Sequence, residues 1–167
     1  MAMGKILALS AMREGKDVTW LPAYGAEVRG GTAHCMVVIS DEKISSPCID
    51  KADTLIIMNG PSLKKFKNFL RNKGLLLVNS SIADCKGTSR RLDIVNVPLT
   101  EMASGLGNEK VANTIAIGVY LARRKIISLK TMESSIEELL KHRDNLIAIN
   151  KRALEEGFFW AQKNKPA

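Results

Sequence analysis

Three short runs in this 167-residue chain, at 54–58, 75–78 and 94–97, are almost uninterruptedly apolar. A strand with one face in water alternates apolar and polar side chains. Continuous runs of this length between turn residues therefore mark strands buried on both faces of a largely parallel sheet, and with it an α/β fold. The first run closes at Asn59-Gly60, and Pro61 suits the first turn of a helix, where its missing N–H costs nothing. Leu63, Phe66, Phe69 and Leu70 form that helix's apolar face by spacing, and its lysines face water. The second run ends in Asn79-Ser80-Ser81 and the third at Pro98. In open parallel sheets ligands collect beyond the carboxyl ends of the strands, so Asn59, Asn79, Ser80 and Pro98 are the positions to watch.

The flanking segments fit the same plan. Residues 3–14 have helical spacing and Gly15 is a natural stop, after which 17–21 and 32–40 read as two further strands of the sheet. Leu106-Gly107-Asn108 leads into a long apolar helix, 109–123, with Asn108 able to cap its first N–H groups. Asn113 lies in that helix's first turns, where its amide either satisfies neighbouring backbone or contacts something outside the domain. Ser128 caps a helix through Leu140. A last helix over 144–163 carries Leu146, Ile149, Ala153, Gly157 and Trp160 on one face, and its end, Phe158-Phe159-Trp160, covers the sheet or a partner subunit. At this length, with 46% hydrophobic residues, one core and one domain over 1–167 are expected.

Several function classes are disfavoured. The net charge of +8 favours acidic partners or ligands. Aromatic residues make up 5% of the chain and do not interleave with the basic clusters, so those clusters read as solvated faces and no nucleic-acid partner is expected. The apolar stretches fall short of the ~20 residues that cross a bilayer, and no signal-like segment opens the chain, so no membrane is expected. Cys35, Cys48 and Cys85 form no CxxC pair; Cys35 and Cys48 read as small buried thiols, no metal site is expected, and a reducing cytoplasm fits. His34 and His142 form no ligand pair, and His34 reads as a structural or interface side chain. GxSxG, Walker and complete GxGxxG patterns are absent, and no catalytic residue is assigned in this chain.

One segment does look built for more than folding. Between two apolar runs, Tyr24-Gly25-Ala26-Glu27-Val28-Arg29-Gly30-Gly31-Thr32 sets an acid, a fixed cation and adjacent glycines in one loop. Glycine allows sharp turning and close approach of backbone donors to a ligand, which is the chemistry of an anion or partner site.

These residues, with the stretch 5–16 before them, resemble the gamma subunit of the 2-oxoacid:ferredoxin oxidoreductases. The likeness continues through Val38-Ile39-Ser40-Asp41-Glu42 and resumes at Leu106-Gly107-Asn108-Glu109-Lys110-Val111-Ala112-Asn113. The resemblance implies a Rossmann-like, three-layer α/β/α subunit with a largely parallel sheet and C-terminal helices. Its complex would oxidatively decarboxylate a 2-oxoacid to an acyl-CoA and pass electrons to ferredoxin. That complex is expected to use thiamine diphosphate, Mg2+, iron-sulfur clusters and coenzyme A, none bound by this chain alone. The implied partners are the alpha and beta subunits, with a delta subunit where one exists, and ferredoxin through the complex. Tyr24, Gly25, Glu27, Arg29, Gly30, Gly31, Thr32, Asn79, Ser80, Asn108, Lys110 and Asn113 are the residues implied for coenzyme A or a subunit interface. Glu27 is expected to hold Arg29, with Tyr24 packed beside it. The family's usual opening strand and glycine-rich turn have no counterpart before residue 5, and the sheet is expected to lack them. Trp20-Leu21-Pro22 looks more like the 2-oxoglutarate and branched-chain classes than the pyruvate class. The alternative is a stand-alone nucleotide-binding or regulatory α/β module.

Overall fold

The computed structural model describes residues 1–24, 33–83 and 92–164. In chain order its elements are α1 (Ala2–Arg13), β1 (Asp17–Ala23), β2 (His34–Ser40), β3 (Ala52–Ile57), α2 (Gly60–Phe66), a 3-10 turn (Lys67–Phe69), β4 (Leu70–Asn79), β5 (Asp93–Val97), α3 (Leu99–Gly105), a second 3-10 turn (Glu109–Val111), α4 (Ala112–Arg124), α5 (Leu129–Leu139) and α6 (Asp144–Lys163). They gather into two compact units, Met1–Cys48 with Asn113–Ala167, and Ile49–Ala112. The α/β class expected from the apolar runs is what the chain adopts, with a three-strand parallel sheet and C-terminal helices.

The unit 49–112 holds that sheet, in the order β3-β4-β5. Leu75, Leu76, Leu77 and Val78 of β4 are fully buried, as a central strand covered on both faces must be. Ile57, Leu63, Leu70, Leu76, Val78 and Ala83 form one core cluster. Asn59 caps α2, its side chain accepting from the Ser62 N–H at 2.9 Å, and Pro61 stands in the first turn as expected. The helix does not run on to Leu70. It tightens after Phe66 into a 3-10 turn, whose three-residue period stacks positions i and i+3. Phe66 and Phe69 consequently meet edge to face at 6.1 Å, Phe69 is left 46% exposed, and Leu70 is buried from the strand instead.

In the other unit β1 and β2 form an antiparallel pair, Asp17 opposite Ser40 through Ala23 opposite His34, in a sheet of their own. This corrects the expectation that both belong to a parallel sheet. Ten residues separate Ala23 from His34, fewer than a parallel crossover needs, whereas an antiparallel return is easily made. The pair packs on α1: a Cβ at Gly4 would meet the Cys35 sulfur and would lie 3.2 Å from both the Trp20 indole nitrogen and a Val37 methyl. Helix α1 stops where Gly15 suggested. Gly15 takes φ +76°, its N–H bonds to the Met12 carbonyl at 3.0 Å and the Lys16 N–H to the Ala11 carbonyl at 3.1 Å, the paired bonds of a Schellman motif. Leu7, Ala11, Ile117, Leu121, Ile127, Met132, Ile136 and Leu154 make the core of this unit. Ser128 caps α5, accepting from the Thr131 N–H at 3.1 Å, and its own N–H donates to the Glu14 carboxylate at 2.7 Å. Helices α4 and α6 cross with their backbones in contact at Gly118 and Gly157. Cys48, expected buried, is exposed in the irregular segment between β2 and β3, where its N–H bonds to the Ser46 hydroxyl at 3.2 Å.

Candidate functional site

Of the loop signature, Tyr24 is described: it follows β1 and is 72% exposed. Gly25, Glu27, Arg29, Gly30, Gly31 and Thr32 lie outside the described residues. The strands that flank them are paired to their last residues, Ala23 and His34, so a rigid ladder leads into the signature from both sides.

Asn79 ends the central strand β4 and is 1% exposed. Its amide nitrogen donates to the Thr100 hydroxyl at 2.9 Å and its amide oxygen accepts from the Ser81 N–H at 3.3 Å. The Ser81 hydroxyl in turn accepts from the Glu101 N–H at 3.4 Å, which supplies α3 with the cap that Pro98 has no side-chain group to give. Asn79 and Ser81 thus hold the turn after β4 against the start of α3. Ser80 between them is exposed, with its N–H bonded to the Val97 carbonyl at 2.8 Å, and its hydroxyl is the group this turn presents outward.

Asn108 and Lys110 sit at the other end of α3. Gly107 takes φ +85°, its N–H bonds to the Ser104 carbonyl at 2.9 Å and the Asn108 N–H to the Ala103 carbonyl at 3.1 Å, a second Schellman stop. The Asn108 side chain then accepts from the Lys110 N–H at 3.0 Å, capping the next turn. Leu106-Gly107-Asn108 is therefore a stop-and-restart signal that folding alone explains, and the exposed Lys110 ammonium is the part left for a ligand. A seven-residue helix is about 10 Å long, so Asn79 with Ser80 and Asn108 with Lys110 are separated by that span rather than gathered on one point. Asn113, in the first turn of α4, turns its side-chain oxygen to the Thr114 N–H at 2.9 Å. The buried Thr114 hydroxyl bonds Asn150 of α6 at 2.6 Å, so the acceptor end of Asn113 serves its own unit.

Sequence reasoning missed α3 and with it Thr100, because seven residues show too little periodicity to register as a helix. A shallow depression at the α5–α6 connection is lined by His142, Arg143, Asp144, Asn145 and Leu146, none of them a predicted site residue. Among the described residues no group of three or more His, Cys, Asp or Glu side chains could hold a metal ion. Of the predicted site residues that are described, Tyr24, Ser80 and Lys110 are the exposed ones, with a phenol, a hydroxyl and an ammonium that can bind and orient.

Compared with known proteins, residues 1–160 match the family described as pyruvate ferredoxin/flavodoxin oxidoreductase. The chain belongs to that family. The match runs through both units, the loop signature and the α3 region alike. Among curated members, the ketoisovalerate oxidoreductase subunit VorA of Methanothermobacter marburgensis is 38% identical over 165 residues, which is 98% of this chain and 34% of that protein. The chain thus spans about a third of the length of that relative. Among solved structures, a keto/oxoacid ferredoxin oxidoreductase gamma subunit from Geobacter sulfurreducens superposes with a TM-score of 0.82 at 25% identity, covering 97% of this chain and 90% of that one. The 2-oxoglutarate:ferredoxin oxidoreductase from Magnetococcus marinus, with 2-oxoglutarate, coenzyme A and succinyl-CoA bound, shares the fold with a TM-score of 0.89 at 20% identity, over all of this chain and 29% of that one.

Proposed function

We propose that this chain is the gamma-type subunit, without thiamine of its own, of a 2-oxoacid:ferredoxin oxidoreductase that forms an acyl-CoA, working in the cytoplasm beside alpha and beta subunits. The likeness to a gamma subunit along nearly the whole of both chains is the observation that carries this reading. On this reading the iron-sulfur clusters are held elsewhere in the complex. Thiamine diphosphate with Mg2+ on a partner would supply the decarboxylation, and the clusters the path to ferredoxin.

The contribution of this chain is positioning. Arg29 beside Gly30 and Gly31 offers a fixed guanidinium and close backbone donors to a coenzyme A phosphate or to a carboxylate of the adjoining subunit, with Glu27 holding it and Thr32 and Gly25 shaping the loop. Tyr24 in one unit and Ser80 and Lys110 in the other are exposed polar groups, and Asn79, Asn108 and Asn113 hold their own turns in place.

The test is Arg29→Ala in the complex recovered by co-expression with the neighbouring subunits. A lost charge-assisted contact of about 1.5–3 kcal/mol corresponds to a KM for coenzyme A roughly 10- to 100-fold higher, or to complex lost from native mass spectra. Unchanged KM with intact assembly, or a chain that recovers no iron-bearing partner and binds a nucleotide alone, overturns the proposal.

A further inference from the structure

The 15 residues 60–74 carry Lys64, Lys65, Lys67, Arg71 and Lys73 and no acid, so they account for five of the eight net positive charges of the chain. The fold brings them to one end of the parallel sheet. Helix α2 leaves the carboxyl end of β3 and returns the chain to the amino end of β4, which places the last turn of α2, the 3-10 turn and the first residues of β4 opposite the strand ends discussed above. The register there is broken: Ala52 pairs with Leu70 and Thr54 with Leu75, so 71–74 bulge from the ladder. All three residues 71–73 are exposed, and Lys73 is held at φ +62°, a conformation that lysine adopts at a cost and glycine without one.

Lys51 adds a sixth cation, its ammonium bonded to the Asn68 carbonyl at 2.5 Å, which fixes the 3-10 turn without neutralising the charge. Arg71 is paired with Asp53 at 2.7 Å. Lys65 lies over the Phe66 ring at 5.4 Å. Lys64, Lys67 and Lys73 are exposed and make no ion pair among the described residues. In the same stretch stands Phe69, a large apolar ring 46% exposed and braced edge-on by Phe66.

We propose that this basic end of the unit 49–112 docks an acidic protein surface, with the lysines steering a carboxylate cluster and Phe69 as its apolar centre. Lysines at the rim raise encounter rates and fix orientation, while a braced aromatic at the centre gives the contact its desolvated anchor. A nucleic acid suits the site less well. The one guanidinium fork is taken by Asp53, whose carboxylate faces the same end, and a single edge-braced ring is no stacking platform. This inference does not rest on the coenzyme A reading, which concerns Arg29 and other residues.

The experiment measures binding of the intact chain to a polyglutamate peptide with a central phenylalanine, and to a short DNA duplex, at low salt and again near 0.15 M. Lys64→Ala/Lys67→Ala/Lys73→Ala should weaken peptide binding about tenfold, the sum expected of three exposed ion pairs, with the loss shrinking as salt rises. Phe69→Ala should weaken it at both salts. Lys73→Gly separates charge from folding, because it relieves the backbone: it should raise Tm and still weaken the peptide. A control removing as many lysines elsewhere, Lys43→Ala/Lys130→Ala/Lys141→Ala, should leave binding near its original value. Equal loss in the control, tighter binding of duplex than of peptide, or no peptide binding at all overturns the proposal.

Discussion

Gly157→Ala tests the α4–α6 crossing, a close backbone approach in the unit that contains the loop signature. A Cβ built on Gly157 would run into the Ile115 carbonyl oxygen and lie 2.9 Å from its carbon, and one on Gly118 would meet the Leu154 carbonyl oxygen and lie 2.8 Å from the Phe158 nitrogen. Both obstacles are main chain, so relief requires one helix to move bodily, and Leu154, fully buried beside the crossing, moves with it. Overpacking costs about 1–3 kcal/mol, and a rigid obstacle places this case near the upper end. Replacing a helical glycine by alanine recovers about 1 kcal/mol of backbone entropy. The net expectation is a loss of about 2 kcal/mol, which for a chain of this size lowers Tm by about 4–8 °C. Gly105→Ala is the matched control, because it too lies in a helix, at an ordinary φ, with nothing within 4 Å of the added carbon. It should raise stability by about 0.4–1 kcal/mol. Thermal unfolding followed by circular dichroism reads both. A Gly157→Ala chain at least as stable as the parent would refute the argument, since it would mean that the helices part freely and the glycines are there for another reason. The double variant Gly118→Ala/Gly157→Ala should lose less than the sum of its parts, because one displacement relieves both clashes.

Two further outcomes follow from hydrogen bonds. Asn79→Ala strands the Ser81 N–H and the Thr100 hydroxyl at a nearly buried position, so it should cost about 1–3 kcal/mol in urea unfolding; a loss under ~0.5 kcal/mol would show that the turn does not depend on it. The Glu14 carboxyl is held below its ordinary value near 4.5, first by the N–H of Ser128 and then, against some desolvation, by the hydroxyls of Thr131 and Ser128 and the nearby Lys16. A depressed acid stabilises the fold above its unfolded value and loses that contribution as pH falls through its folded one. The parent should therefore exceed Glu14→Gln by no more than about 1 kcal/mol at pH 7, the side chain being exposed, with the gap closing below pH 4.5. A gap that widens in acid would contradict the assignment.

Much of the local structure was legible because its signals are local. Gly15 sits where its left-handed φ stops α1, and Asn59, Asn108 and Ser128 cap the turns that follow them, whereas the stop of α3 at Gly107 went unread with that helix. The continuous apolar runs at 54–58, 75–78 and 94–97 became the parallel strands, though only the central run, 75–78, is fully buried as such a run implies, and in the flanking β5 Asn96 is exposed between Val95 and Val97. The candidate site was legible only as a set of residue types. Nothing in the spacing shows that Asn79 spends its amide on Thr100, or that α3 holds Asn79 and Asn108 about 10 Å apart, because those partners are 21 residues and a helix away in the chain.

The amino-acid sequence alone determined the α/β class, the stops and caps, the family signature around Arg29 and the charge. Each is set by what a residue is and by its nearest neighbours. Tertiary structure decided the pairing of β1 with β2, the outward turn of Phe69 and the contact of α4 with α6 at two glycines. Those depend on which surfaces meet, and a one-dimensional pattern of burial is the same for a parallel strand, an antiparallel one and a helix that ends three residues early.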